Sequence, residues 1–280
     1  MVELVKPKMV LLENVKNLTH KRALDSGEAP TDIIKNDLAK LGYASRFCLV
    51  DTFEFGLPQH RVRVYLVALR GDCDVAPIFR SLASLRTAPQ ALSASSVLDS
   101  QLPAAGCEGR VRAVQRRGGE AWRDLERPFI EQHAQYFDRH LPRVMLRELR
   151  THIHFRALTV RAQRALAIMY CVAQRVYHID PRLTLCVFDC SQSLGRIPWE
   201  VEASPCVCPR SVLWVSCCPA GPHAASAMEF LRLQGVSDHE VLLHKLKETE
   251  LPLLRDLAGN SFSAQVVAAV LLAMLANFRA

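Results

Sequence analysis

The longest uninterrupted apolar run of this sequence reads as too short to span a bilayer by itself. The most apolar stretch, Ala264 to Phe278, has about 15 residues, against the roughly 20 that a helical span needs. It reads as a buried helix, apolar on nearly every side and so expected to find partners on several sides. The N-terminus has Lys6 and Lys8 but lacks the apolar segment of a secretory leader. Paired Cys-x2-Cys knuckles are missing as well. The spacings Cys186-x3-Cys190, Cys206-x-Cys208 and Cys217-Cys218 lie in apolar runs, so no metal site is expected and the thiols point to a reduced, intracellular compartment. Internal repeats are absent. What remains is a globular chain of 280 residues, 50% hydrophobic, enough for one large domain or two modest ones.

Lysine is absent from one long segment. Between Arg110 and Arg164 there are 13 arginines, no lysines and six acidic residues, so the formal net charge of +7 sits there and the rest of the chain balances. An arginine fork donates two hydrogen bonds to one phosphate, and a basic segment concentrates a polyanion around itself. The plainer alternative is a solvated, salt-bridged helical face.

Along the chain, Met9 to Glu13 reads as a buried strand that ends at a functional edge. A helix follows through about Leu41, with Thr31 or Asp32 as its cap and Gly42 as its stop. Ser45 to Val50 and Val62 to Leu69 read as strands, separated by the turn residues Gly56-Leu57-Pro58. This is part of an α/β sheet, without the opening strand and glycine-rich turn of a complete doubly wound domain. Ser81 to Gly109, rich in Ser, Ala, Leu and Pro, reads as a linker or irregular insertion. Helices are expected near Arg127 to Phe137 and Val160 to Val176, an irregular β region over Leu183 to Pro222, and helices again over the last 55 or so residues.

Several blocks occur in a fixed order. Glu13-Asn14-Val15 closes the first strand, and Gly56-Leu57-Pro58-Gln59-His60-Arg61-Val62-Arg63 leads into a later one. Leu233-Gln234-Gly235 and Gly259-Asn260-Ser261 follow a long insert, which itself holds Gln192-Ser193-Leu194-Gly195-Arg196. In these blocks and their order the chain resembles the C-terminal portion of the cytosine-C5-specific DNA methyltransferases. That resemblance implies an α/β fold with a partial Rossmann-like methyltransferase sheet and an inserted small target-recognition domain. It places a partial catalytic domain at residues 1–72 and 226–280, a linker or irregular insertion at 73–109 and an arginine-rich recognition region at 110–225.

The family attacks C6 of cytosine with a cysteine thiolate while a carboxyl group hydrogen-bonds N3, offsetting charge that develops in the transition state. By resemblance Glu13 is that carboxyl, with Asn14 beside it, and an apolar strand end favours its protonated form. Arg61 and Arg63, two apart on a strand, are expected to point to one face while Val62 and Val64 pack on the other. The resemblance makes Arg63 the direct contact to the flipped base, with Arg61 and Gln59 supporting it. Asn260 and Ser261 are implied contacts to S-adenosylmethionine, and Ser261 or Ser263 is expected to cap the apolar helix that follows.

The blocks that carry the cofactor loop and the Pro-Cys nucleophile come before the Glu-Asn-Val strand in this family, and they are not among these residues. Pro205-Cys206 does not replace the latter: it lies in the recognition region and is followed by Val207-Cys208-Pro209. The expectation is therefore a fragment of a longer methyltransferase, inactive alone and holding the cofactor weakly or not at all. The alternatives are one half of a split enzyme, whose N-terminal half another chain supplies, and a non-catalytic DNA-binding module. The implied partner is double-stranded DNA, with no membrane, and the implied location is intracellular, the nucleus in a eukaryote. The strand that ends at Glu13 is expected to leave one edge of the sheet open, an aggregation hazard.

Overall fold

The computed structural model describes residues 1–20, 28–71, 73–87, 93–98, 127–138, 140–219, 221–237 and 251–278. The chain divides into two compact units, Met1–Ala91 with Phe262–Ala280, and Leu92–Ser261. These differ from the division expected from the sequence, because the stretch from Ala227 to Ser261 falls in the second unit.

The first unit opens with a single helical turn, α1 (Val2–Val5), and then builds a three-stranded antiparallel sheet from β1 (Met9–Val15), β2 (Tyr43–Asp51) and β3 (Val62–Arg70), in the order β1-β3-β2. β3 lies in the middle and is covered on both faces, which explains its nearly unbroken apolar run Val64 to Leu69. Leu66 and Ala68 pack with Val10, Tyr43 and Leu38, the last from α2 (Pro30–Lys40). Tyr65, Val67 and Leu69 turn the other way, toward α3 (Ala76–Ser84) and the C-terminal helix of the chain. Pro30 supplies the first turn of α2, whose N-cap is Ala29, so neither Thr31 nor Asp32 caps it; Thr31 is already inside the helix and buried. Gly42, at φ 80°, ends that helix as expected. Ser81 to Ser84 belong to α3, so the expected irregular region begins later.

Among the described residues β1 pairs only with β3, which leaves its outer edge open, as anticipated. Leu12 and Val15 are exposed on this strand.

The second unit is organised around a 17-residue helix, Val160–Val176, matching the expected limits and capped by the Thr159 hydroxyl on the Ala162 N–H. With α4 as Leu141–Leu149 and α5 as Ile153–Arg156, this helix is α6. It packs on the sheet β5-β4-β6-β7, formed by β4 (Cys186–Asp189), β5 (Trp199–Val201), β6 (Leu213–Val215) and β7 (His223–Ala224). Residues 127–132 are helical, and turns replace the helix over 133–136. Ala94 and Leu98 are fully buried in this unit, so 93–98 is part of its core.

Two further helices complete the unit, α7 (Ala227–Leu233) and α8 (Leu251–Asn260). Ser226 and Glu229 form a reciprocal capping box at the start of α7. Near the end of α8, Gly259 lies against the Cys208–Pro209 backbone: a Cβ added there would stand 2.2 Å from the Pro209 nitrogen. Backbone cannot move aside as a flexible side chain does. Gly259→Ala is therefore expected to cost about 1–3 kcal/mol, read as a lower urea midpoint at unchanged slope.

The apolar C-terminal helix, α9 (Ala264–Asn277), is one-sided. Val266, Ala269, Val270, Ala273 and Met274 are buried, while Leu272 and Leu275 are 59% and 61% exposed. The expectation of partners on several sides is thus corrected: one stripe of small and branched residues packs closely, and the opposite leucines face solvent. By length and composition the stretch Leu253–Asn277 passes as a membrane span. Its helical path, however, is broken at 261–263. The α9 segment alone is about 21 Å long at 1.5 Å per residue, short of a hydrocarbon core of about 30 Å.

Candidate active site on the three-stranded sheet

β1 and β3 run antiparallel with Glu13 opposite Tyr65, and β2 places Cys48 on the other side of the same tyrosine. The three form a row across the sheet. Two residues earlier on β3, Arg63 reaches Glu13, with Nε 3.3 Å from Oε1. Both side chains are about one-sixth exposed, at 15% and 16%, so the pair is shielded without being sealed off. Arg63 also donates from Nη1 to the Val62 carbonyl at 2.9 Å. Two effects oppose each other at such a pair: burial favours the neutral acid, and a guanidinium favours the carboxylate.

Tyr65 was not singled out from the sequence. It is 2% exposed, and its hydroxyl is pushed well above the ordinary phenol range, first by burial and then by the charge of Glu13, with Arg61 and Arg63 pulling the other way. The expected carboxyl and both expected arginines thus act on one buried phenol. Burial likewise pushes the Cys48 thiol up, to about 11, making it a packing residue rather than a nucleophile.

Arg61 precedes β3 rather than lying in it, and it is buried at 4% exposure. Its backbone is held on both sides. The Arg61 N–H donates to Asp51 Oδ1 at 2.9 Å, and its carbonyl accepts from the N–H and the hydroxyl of Thr52, each at 3.2 Å. Asp51 also accepts from the Phe53 N–H and sits 2.9 Å from His60 Nδ1, while His60 stacks on Phe53. Asp51 and Thr52 therefore fix the turn that delivers the arginines, and no motif in the sequence marked them. An Asp-Thr pair closing a strand before a tight turn was the available signal.

Gln59 is fully buried in that turn, where its N–H donates to the Leu57 carbonyl at 2.8 Å. Asn14 is exposed, and its side chain accepts from the Val15 N–H at 2.8 Å.

The expected capping of α9 is not made. Ser263 occupies the N-cap without a side-chain cap bond, and its hydroxyl pairs instead with Thr52 at 3.0 Å. Ser261 belongs to the second unit, where its hydroxyl donates to the Ala258 carbonyl at 2.9 Å and closes the end of α8. Asn260 is exposed at the same helix end.

Seven of the 13 arginines between Arg110 and Arg164 lie among the described residues. Of these, Arg127 pairs with Glu131, Arg150 bonds Gln163, and Arg161 holds the carbonyls of Ser191 and Gln192. Arg143, Arg147 and Arg156 are exposed, opposite the buried Met145, Leu149 and Phe155.

Residues 1–127 match the family described as C-5 cytosine-specific DNA methylase. Type II methyltransferase M.NgoBI of Neisseria gonorrhoeae is 47% identical over 73 residues, covering 26% of this chain and 21% of that protein. Type II methyltransferase M.HhaI of Haemophilus parahaemolyticus is 33% identical over 70 residues, covering 25% of this chain and 20% of that one. The DNA (cytosine-5-)-methyltransferase DMT5 of Cryptococcus neoformans var. grubii is 24% identical over 291 residues, covering 96% of this chain and 12% of its own length. The chain thus spans about one fifth or less of the length of these relatives.

Proposed function

We propose, from the premise that residues 1–127 belong to the C-5 cytosine-specific DNA methylases, that this chain supplies the base-holding half of a cytosine-C5 methyl-transfer site. The observation that carries the reading is the shielded Glu13–Arg63 pair at one end of the sheet, held by a turn that also fixes Arg61.

In this reading the target cytosine leaves the DNA stack and lies against the pair. Glu13 hydrogen-bonds the N3 edge, and Arg63 donates to the neighbouring carbonyl oxygen. As a thiolate adds at C6, negative charge spreads onto exactly those ring atoms' side of the base, where the two side chains stabilise it without first having to reorganise. Arg61 and Gln59 keep the frame rigid, and Asp51 and Thr52 hold Arg61. The thiolate comes from a complementary segment, as does most of the cofactor site.

S-adenosylmethionine, when bound, supplies the methyl group. Asn260 and Ser261 stand at the C-terminal end of α8, where carbonyl oxygens and the negative end of the helix dipole suit a cationic group. They fit the ammonium or sulfonium part of the cofactor better than its carboxylate. Among the described residues, the exposed Arg143, Arg147 and Arg156 are assigned to DNA phosphates, and the recognition function is assigned to the second unit.

Co-expression with a segment that carries the glycine-rich loop and the Pro-Cys block tests the reading. Among the described residues the outer edge of β1 is unpaired, which gives that segment a strand to pair with. A soluble complex that methylates C5 of cytosine in double-stranded DNA is expected; a soluble complex without transfer contradicts it. A second reading, DNA binding without catalysis, draws on the exposed arginines. It requires tight binding by this chain alone, weakening by about one log unit per log unit of salt for each phosphate neutralised.

A further inference from the structure

The second unit holds a cluster of nucleophilic and titratable groups that the methyl-transfer chemistry does not use. Cys218, His223 and Glu229 form a chain of contacts at the end of the sheet. The Cys218 sulfur lies 3.6 Å from His223 Nδ1, and His223 Nε2 lies 2.9 Å from Glu229 Oε1. His223 and Glu229 are 2% and 0% exposed, whereas Cys218 is only partly buried, so the sulfur is the end of the chain that solvent reaches. The other carboxylate oxygen of Glu229 accepts from the Ser226 N–H at 2.7 Å, which fixes it within the capping box of α7.

Gly221 sets the geometry at the sulfur. Its carbonyl accepts from His223 Nδ1 at 2.9 Å and from the Cys218 thiol at 3.1 Å, and its N–H donates back to the Cys218 carbonyl at 2.8 Å. With one ring nitrogen facing a carbonyl and the other a carboxylate, both must donate, and the ring is an imidazolium. Burial works against that charge, but the contacts with Cys218, Glu229 and Gly221 outweigh it and hold the proton up to about 10.

Burial pushes Cys48 and Cys186 up to about 11 and Cys171 and Cys190 up to about 12. Cys217, the chain neighbour of Cys218, is also pushed up, by burial and then by Cys218 and Glu202.

We propose that Cys218 is a site of covalent modification by soft carbon electrophiles of the α,β-unsaturated carbonyl class, prepared for attack by the His223–Glu229 pair. The thiol proton passes to solvent and the sulfur bonds to the β-carbon. The π pair moves to the α-carbon, which takes a proton from water. Nothing leaves, and no oxidant or reductant takes part. Glu229 anchors the His223 ring, and the ring nitrogen lies against the sulfur that attacks; both are positioning residues. The inference does not rest on the methyltransferase reading.

The test uses the full 280-residue chain. Limiting N-ethylmaleimide is added at pH 6.5, the reaction is quenched over time, and labelled peptides are counted by fragmenting mass spectrometry. Cys218 is expected to react about 10-fold or more faster than its neighbour Cys217 and than the exposed Cys73. Glu229→Gln, which keeps the shape of the side chain, is expected to bring Cys218 down several-fold toward Cys73. Equal rates at Cys217 and Cys218, or an unchanged rate in a folded Glu229→Gln chain, overturn the proposal. If that variant fails to fold, the comparison of the three cysteines in the wild-type chain decides alone.

Discussion

Glu13→Gln is expected to lower methyl transfer by the complemented enzyme about 100- to 1,000-fold, the usual cost of losing one preorganised group that meets developing charge. The fold should be indifferent to the change. Glu13 sits on the edge strand β1, and glutamine keeps an acceptor oxygen facing Arg63, so the guanidinium is not left without a hydrogen-bonding neighbour. Glutamine keeps the size of the side chain and one acceptor, but it cannot carry or share the proton that the ring nitrogen requires. The loss should therefore fall on kcat, with DNA affinity little altered. Single-turnover rates at saturating DNA, alongside thermal melts, separate the two. A wild-type rate in the variant removes Glu13 from the chemistry. A lost rate accompanied by a lost fold makes it a structural residue.

Trp214→Ala should be the most destabilising single change in the second unit, at about 3–5 kcal/mol. Trp214 is fully buried on β6, meets Phe155 edge-on at 5.5 Å between ring centres, and donates its indole N–H to the Tyr170 hydroxyl at 3.0 Å. Truncation leaves a large void among Phe155, Tyr170 and Phe188 and takes away the phenol's partner. Domains of this size have total stabilities of about 5–15 kcal/mol, so much of the unit's margin would go. Trp214→Phe should lose less, because it refills most of the volume and forfeits mainly the hydrogen bond, about 1–3 kcal/mol. Urea unfolding followed by circular dichroism orders the three proteins. A loss under about 1 kcal/mol for the alanine variant would show that this ring does not hold the core.

The parts of the fold that were legible in the sequence are those written by local chemistry. The 17 residues of α6 have a Thr159 cap and sustained helix formers, and their limits were readable to the residue. The strand β3 was readable from an apolar run bounded by a Gly-Pro turn. The site was legible where residues stand close in sequence: Glu13 ends its strand, and Arg61 and Arg63 stand two apart. What joins them was not. Tyr65, Asp51, Thr52 and Ser263 enter the site through strand register and through a contact 211 residues apart in sequence, and no local pattern records such a contact. Composition misled at α9, where hydropathy would bury the leucines before the alanines. Only packing separates the buried Ala269 and Ala273 from the exposed Leu272 and Leu275. The arginine-rich stretch misled in the opposite way, since charge counting cannot tell Arg161, tied to two loop carbonyls, from the exposed Arg147.

Mass spectrometry of nucleosides from treated DNA tests most directly whether this chain completes a cytosine-C5 site. DNA is incubated with S-adenosylmethionine and the complementary segment, with this chain present, absent, or carrying Glu13→Gln. 5-Methylcytosine should accumulate only with the wild-type chain. Equal 5-methylcytosine without this chain, or none with both parts folded and bound to each other, would contradict the assignment.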